Sequence, residues 1–142
     1  MGIITRIKEI FEKKQIEFDS LKELETELVI LKKKTNSKII AIIGSGGRLK
    51  GLPLIYDADD ENLLKIYTAK INELLIPIRN LADDKELTDF IINYKDSIIL
   101  FKNIIENIGF LAFTRFSNDI ALTQQWLFKN EIFLKKIFEQ KV

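Results

Sequence analysis

The segment from Lys38 to Ile43 reads KIIAII, and after the lysine it contains no polar residue at all. β-branched side chains are stiff at χ1 and fit a pleated strand. Successive residues of a strand point to opposite faces, so a strand apolar at every position is buried on both. A half-exposed sheet cannot hold such a strand. Helices have to cover the sheet above and below, which makes three layers.

The rest of the chain supplies the expected elements. Ile3, Ile7, Ile10, Phe11 and Phe18 recur at helical spacing, with Glu and Lys between them, and predict an amphipathic helix up to Asp19-Ser20. Ser20 followed by Glu23 is a capping box that predicts a new helix start. Leu21, Leu24, Leu28 and Leu31 form the stripe of that helix, which ends in Thr35-Asn36-Ser37. A second strand is expected over Leu52–Tyr56, and Pro53 assigns it to a sheet edge. Asp57, Asp59, Asp60 and Glu61 crowd the start of a long helix, where acidic side chains meet the positive end of the dipole. Leu63, Tyr67, Ile71, Leu74 and Ile78 are its expected buried stripe, and Pro77 is expected to kink or end it. Three strand-like runs follow, Leu87–Tyr94, Ser97–Ile104 and Gly109–Phe116, joined by turns short enough for hairpins. Ser117-Asn118-Asp119 then supplies cap residues for a last helix, with Leu122, Trp126, Leu127, Phe133, Leu134, Ile137 and Phe138 as its stripe.

The expected fold class is therefore α/β: a three-layer α/β/α sandwich on a five-stranded, mainly antiparallel sheet, with an extra N-terminal helix. The chain divides into an amphipathic helical extension, 1–19, and one domain, 20–142. A length of 142 residues suits a single core of that kind.

Several chemistries are disfavoured. With no Cys and no His, the chain lacks disulfides, thiolates, imidazole bases and the usual zinc ligands. Gly44-Ser45-Gly46-Gly47 is followed by Arg48, not Lys-Ser/Thr, and precedes a strand, so it reads as a turn and not as a phosphate loop. Asp57, Asp59, Asp60 and Glu61 lack the spacing of a calcium loop and read as helix capping. Ser45, Ser97 and Ser117 have no His partner for nucleophilic catalysis. A net charge of +1 gives no concentrated basic field for nucleic acid, and Lys32-Lys33-Lys34 reads as a helix C-terminus complementing its dipole. No catalytic residue, metal ligand or cofactor site is expected. No signal-peptide pattern opens the sequence, because Arg6, Lys8 and Glu9 interrupt the apolar residues, so the expected location is cytoplasmic. Glu9, Glu12 and Glu17 dilute the basic face of residues 1–18, and packing on protein is preferred for them over a membrane surface.

Gly51-Leu52-Pro53-Leu54, opening the second strand after the KIIAII strand, resembles the "GLP + aliphatic" signature of the roadblock/dynein light-chain family. The order α-β-β-α-β-β-β-α over about residues 20 to 140 carries the rest of that resemblance. Two departures are visible. Gly44-Ser45-Gly46-Gly47 lengthens the first hairpin, and the central helix has Ala69 as its only alanine. Longin domains share the sheet by permutation but begin with a strand; profilin-like domains are a more distant match.

The resemblance implies a non-catalytic scaffold or regulator that pairs with itself or a paralogous subunit and docks small Ras-like or Rag-like GTPases. It places Phe90, Ile92 and Tyr94 at a pairing edge and Ile71 at a dimer contact. Tyr67, Lys70, Glu73 and Arg79 are its partner-binding positions along the central helix. The readings from other classes are a longin-like trafficking or tethering module and a small enzyme that works without His or Cys.

Overall fold

In the computed structural model, residues 18–139 are described. The expected helix over residues 3–18 and the expected extension 1–19 therefore lie outside the described residues except at Phe18 and Asp19. Helix α1 spans Phe18–Lys34 and already includes Asp19 and Ser20, so Ser20 is not the start signal its capping box suggested. The leucine stripe behaves as expected: Leu21, Leu24, Leu28 and Leu31 are all buried. The helix closes where Thr35 Oγ1 and N–H both donate to the Leu31 carbonyl and Asn36 takes a positive φ.

Strand β1, Ile39–Gly44, is buried at every position. Its side chains divide as period two requires. Ile40 and Ile42 enter one core cluster, while Ile39, Ala41 and Ile43 enter the other. Each buried isoleucine contributes about 1.5–3 kcal/mol of apolar burial, so this strand is the central element of both cores.

A 3-10 turn over Gly47–Leu49 leads to β2, Pro53–Ala58. The register of this hairpin is shifted between Ile42 and Ile43, which pair with Ile55 and Pro53. Two glycines make the connection possible. Gly51 has φ +83, where a side chain would be strained, and a Cβ on Gly44 would lie 1.7 Å from the Leu49 carbonyl oxygen.

Helix α2, Glu61–Leu81, is capped by Asp60, whose carboxylate accepts from the N–H groups of Asn62 and Leu63. It runs through Pro77 for another turn instead of ending there. Its buried residues are Leu64, Thr68, Ile71, Asn72 and Leu75. Of the expected stripe only Ile71 is fully buried; Leu63, Tyr67, Leu74 and Ile78 flank it, half-buried.

Strands β3 (Asp89–Asn93), β4 (Ile98–Ile105) and β5 (Ile108–Thr114) form a meander, and α3 (Ser117–Glu139) follows. The sheet order is β2-β1-β5-β4-β3, and every neighbouring pair is antiparallel. The two edges are β2, as Pro53 indicated, and β3. One cluster joins α1 and α3 to one face of the sheet, and the other joins α2 to the opposite face. The three layers expected from KIIAII are present. On α3, Leu127, Leu134, Ile137 and Phe138 are buried as expected, whereas Leu122, Trp126 and Phe133 are half-buried.

Candidate functional site

The two faces of the sheet are not equally covered. Five strands spaced about 4.8 Å apart span roughly 20 Å or more, and one helix with its side chains is about 10–12 Å across. Among the described residues, α1 and α3 together cover one face, but α2 lies alone on the other. The shortfall shows at the β3 edge. Phe90 and Ile92 point to the α2 side and join its cluster, yet both remain half-buried. Phe90 stacks on Phe101 of β4, ring centroids 5.3 Å apart, so its outer side is the open one.

The backbone of β3 is open in the same direction. Asn103 N–H donates to the Thr88 carbonyl, and Tyr94 N–H donates to the Ser97 carbonyl. Hydrogen bonding alternates along an antiparallel ladder, so residues 88, 90, 92 and 94 face β4. Asp89, Ile91 and Asn93 then direct their N–H and C=O groups away from the sheet. Ile91 is 41% exposed and Tyr94 57%.

Helix α2 adds an apolar outer face. Ile66 and Ile76 are about half exposed, and Ala69 and Pro77 lie on the same side, with Lys70 and Glu73 among them. Ile71, expected at a dimer contact, is only 4% exposed and packs against the sheet. A side chain in the core cannot meet a partner, so Ile66 and Ile76 take its place as candidates. The signal for them was present: positions 66, 69, 73 and 76 are spaced as one helical stripe, turned away from the buried one.

The partner-binding positions separate. Lys70 and Glu73 are exposed. Tyr67 is half-buried and stacks on Phe113 at 5.1 Å. Arg79 Nη1 donates to the Ser45 carbonyl at 3.3 Å, and Asn72 Nδ2 donates to the Gly44 carbonyl at 3.0 Å. Both bonds fasten the C-terminal half of α2 to the end of β1. Arg79 also borders a polar cleft of about 730 Å³ that includes Asp83, Lys85, Glu86, Asn103 and Glu106. Its lining mixes both charge signs, and no pair of carboxylates there is set in an apolar surround. Tyr56 is the titratable group moved most clearly: burial pushes its phenol above the usual value, helped by the charge of Glu61 and a hydrogen bond to it, and by the charge of Glu25. Among the described residues, no three carboxylates, histidines or cysteines gather as metal ligands, and no helix is long and apolar enough to cross a membrane.

No protein-family model and no curated protein matches the chain. Solved structures do. MglB of Myxococcus xanthus superimposes with a TM-score of 0.70 at 13% identity, covering 86% of this chain and 92% of that one. A structure described as MglB with a tetrameric arrangement gives 0.67 at 13% identity, over 84% and 91%. A Roadblock/LC7 domain from Streptomyces avermitilis gives 0.50 at 7% identity, over 68% and 86%. The fold is roadblock-like. Among the described residues a helix precedes the first strand, which is the roadblock connectivity and not the permuted longin one. The lengthened roadblock-like hairpin is accommodated by the 3-10 turn and the shift at Ile42/Ile43.

Proposed function

We propose that this chain is a non-catalytic interaction module that pairs through β3 and the outer face of α2 and docks a small GTPase of the Ras-like or Rag-like class. The observation that carries the reading is the under-covered α2 face running into an unpaired strand edge. A bare edge beside half-buried Phe90 and Ile92 invites aggregation unless something covers it. A second copy related by a two-fold axis supplies both missing parts: a strand to pair with β3, and a helix to lie beside α2 over the open apolar surface. The paired α2 helices then present Tyr67, Lys70 and Glu73 near a composite surface to the GTPase.

Edge pairing is tested without touching the core. Ile91→Pro removes an N–H that points away from β4, and Ile76→Lys charges the outer face of α2. The combined variant is expected to scatter light as a monomer with an unchanged circular dichroism spectrum, whereas the native chain scatters as a dimer. A variant that stays dimeric sinks the pairing mode. For the partner, the native chain as bait in extract from its own organism should recover a small GTPase in a nucleotide-dependent manner. Equal recovery with GTP and GDP, or none, removes the GTPase from the reading.

A further inference from the structure

At the end of the sheet where β1 and β4 begin and β5 ends, the surface opens into a cleft of about 480 Å³. Small-molecule sites run from roughly 300 to 1,000 Å³, so the cleft has room for a small ligand. Four segments build it. Lys38 precedes β1, Arg115 follows β5, Asp96 and Ser97 come from the β3–β4 turn, and Tyr67 stands on α2. The Tyr67 ring is held by its stack on Phe113, and its hydroxyl has no hydrogen-bond partner among the described residues. The lining carries two cations and one carboxylate, Asp96, which accepts from Ser97 Oγ at 3.4 Å. Neither Lys38 nor Arg115 has a carboxylate within 4 Å among the described residues. Each lies instead over a ring, Lys38 Nζ 6.0 Å from the centre of Phe113 and Arg115 Cζ 5.6 Å from that of Phe116. In the floor, Thr114 is 2% exposed, and its Oγ1 has no partner among the described residues. That O–H dipole is free to turn towards charge held above it.

We infer that this cleft binds the phosphate group of a small phosphomonoester. Lys38 and Arg115 hold the phosphate oxygens, and the Tyr67 hydroxyl donates to one of them. Two cations lining one concave surface without a counter-charge favour an anion there. The charge count selects among anions. A phosphomonoester carries about −1.5 to −2 at neutral pH and matches two cations, whereas a carboxylate brings a single charge. The guanidinium of Arg115 offers a planar fork to two phosphate oxygens, and the Lys38 ammonium acts as a point charge. Asp96 repels a second anionic group, which disfavours a polyanion or an anionic membrane, and its carboxylate accepts from a hydroxyl or amine on the organic part of the ligand. Every group belongs to one chain, so the site does not rest on the pairing proposed for β3.

The test titrates the full, nitrogen-15-labelled chain with inorganic phosphate and then with glycerol 3-phosphate at constant ionic strength, following the amide resonances. Saturable shifts are expected at residues 38, 67, 96–97 and 113–115, with glycerol 3-phosphate binding at least as tightly as phosphate. Lys38 and Arg115 are exposed, so Lys38→Met and Arg115→Met should each leave the thermal midpoint unchanged. Each should weaken binding by about tenfold or more, as the loss of one charge-assisted contact requires. Arg48→Met, which removes an exposed cation from the first hairpin, should leave the affinity unaltered. In the native chain, shifts scattered over every basic surface, or reproduced by sodium chloride alone, overturn the proposal whatever the variants do. Unchanged affinity in the folded Lys38→Met, Arg115→Met double variant overturns it too. Shifts that appear only with vesicles containing phosphatidic acid, and not with either free phosphate, assign the cations to a lipid surface and likewise overturn it.

Discussion

Tyr56 shows how a single side chain records the packing of three elements. It sits in β2, half-buried, between Glu25 of α1 and Glu61 of α2. Burial acts first, and the neighbouring carboxylates then oppose a phenolate, so the phenol holds its proton beyond the ordinary value near 10. The sign for stability follows from linkage. The folded state binds a proton that the unfolded chain has already lost, so the contribution is complete below about pH 10 and disappears as pH rises through the folded value. Of the three tyrosines, one should ionise late when absorbance at the phenolate band is followed through alkaline titration. Tyr56→Phe should remove that late step, and Glu61→Gln should move it down towards the ordinary value. A late step that survives Tyr56→Phe would show that the delay belongs elsewhere.

Pro77 poses the corresponding question for an element. It lies inside α2 with one further turn, Ile78–Leu81, beyond it, and it is exposed. Without an N–H it leaves the Glu73 carbonyl unbonded, and an interior proline costs a helix about 3 kcal/mol. Pro77→Ala restores that bond, and its thermal midpoint should rise in a melt followed by circular dichroism; a fall would mean that the ring itself packs. The sequence suggested that the proline ends or kinks the helix, because local propensity is all that a sequence displays there. The turn beyond it carries Arg79, whose guanidinium donates to the Ser45 carbonyl, a long-range contact. The misplaced stripe has a related cause. Thr68 and Asn72 are polar, so a hydropathy pattern puts them outside, yet both are buried, and of their side-chain polar atoms only Asn72 Oδ1 is left without a partner among the described residues. Thr68 Oγ1 donates to Leu64, while the Asn72 amide bridges Thr68 and Gly44. By contrast the leucines of α1 and the isoleucines of β1 were legible, because their burial needs no partner that the pattern cannot see.

At the scale of the whole molecule, the sequence carried the layer count and both edge strands, but not the imbalance, among the described residues, between two helices on one face and one on the other. That imbalance depends on strand order, which no local pattern encodes, and with Ile71 buried under α2 the candidate contact moves to Ile66 and Ile76 on its outer face. It also yields a thermodynamic test that needs no partner protein. If the pairing proposed for β3 and α2 holds, a second copy binds the folded state and not the unfolded one, so the thermal midpoint must rise with protein concentration. Ile91→Pro separates this from ordinary folding stability. Residue 91 turns its N–H outward from the β3–β4 ladder, so the substitution leaves the intramolecular bonds of residues 90 and 92 in place. At high dilution, where both chains are monomeric, the native and variant midpoints should approach one another. As concentration increases, the native midpoint should climb while the variant's stays level. Parallel, concentration-independent curves would mean that the open edge is tolerated by the monomer, with Asp89 and Asn93 protecting it as exposed polar residues.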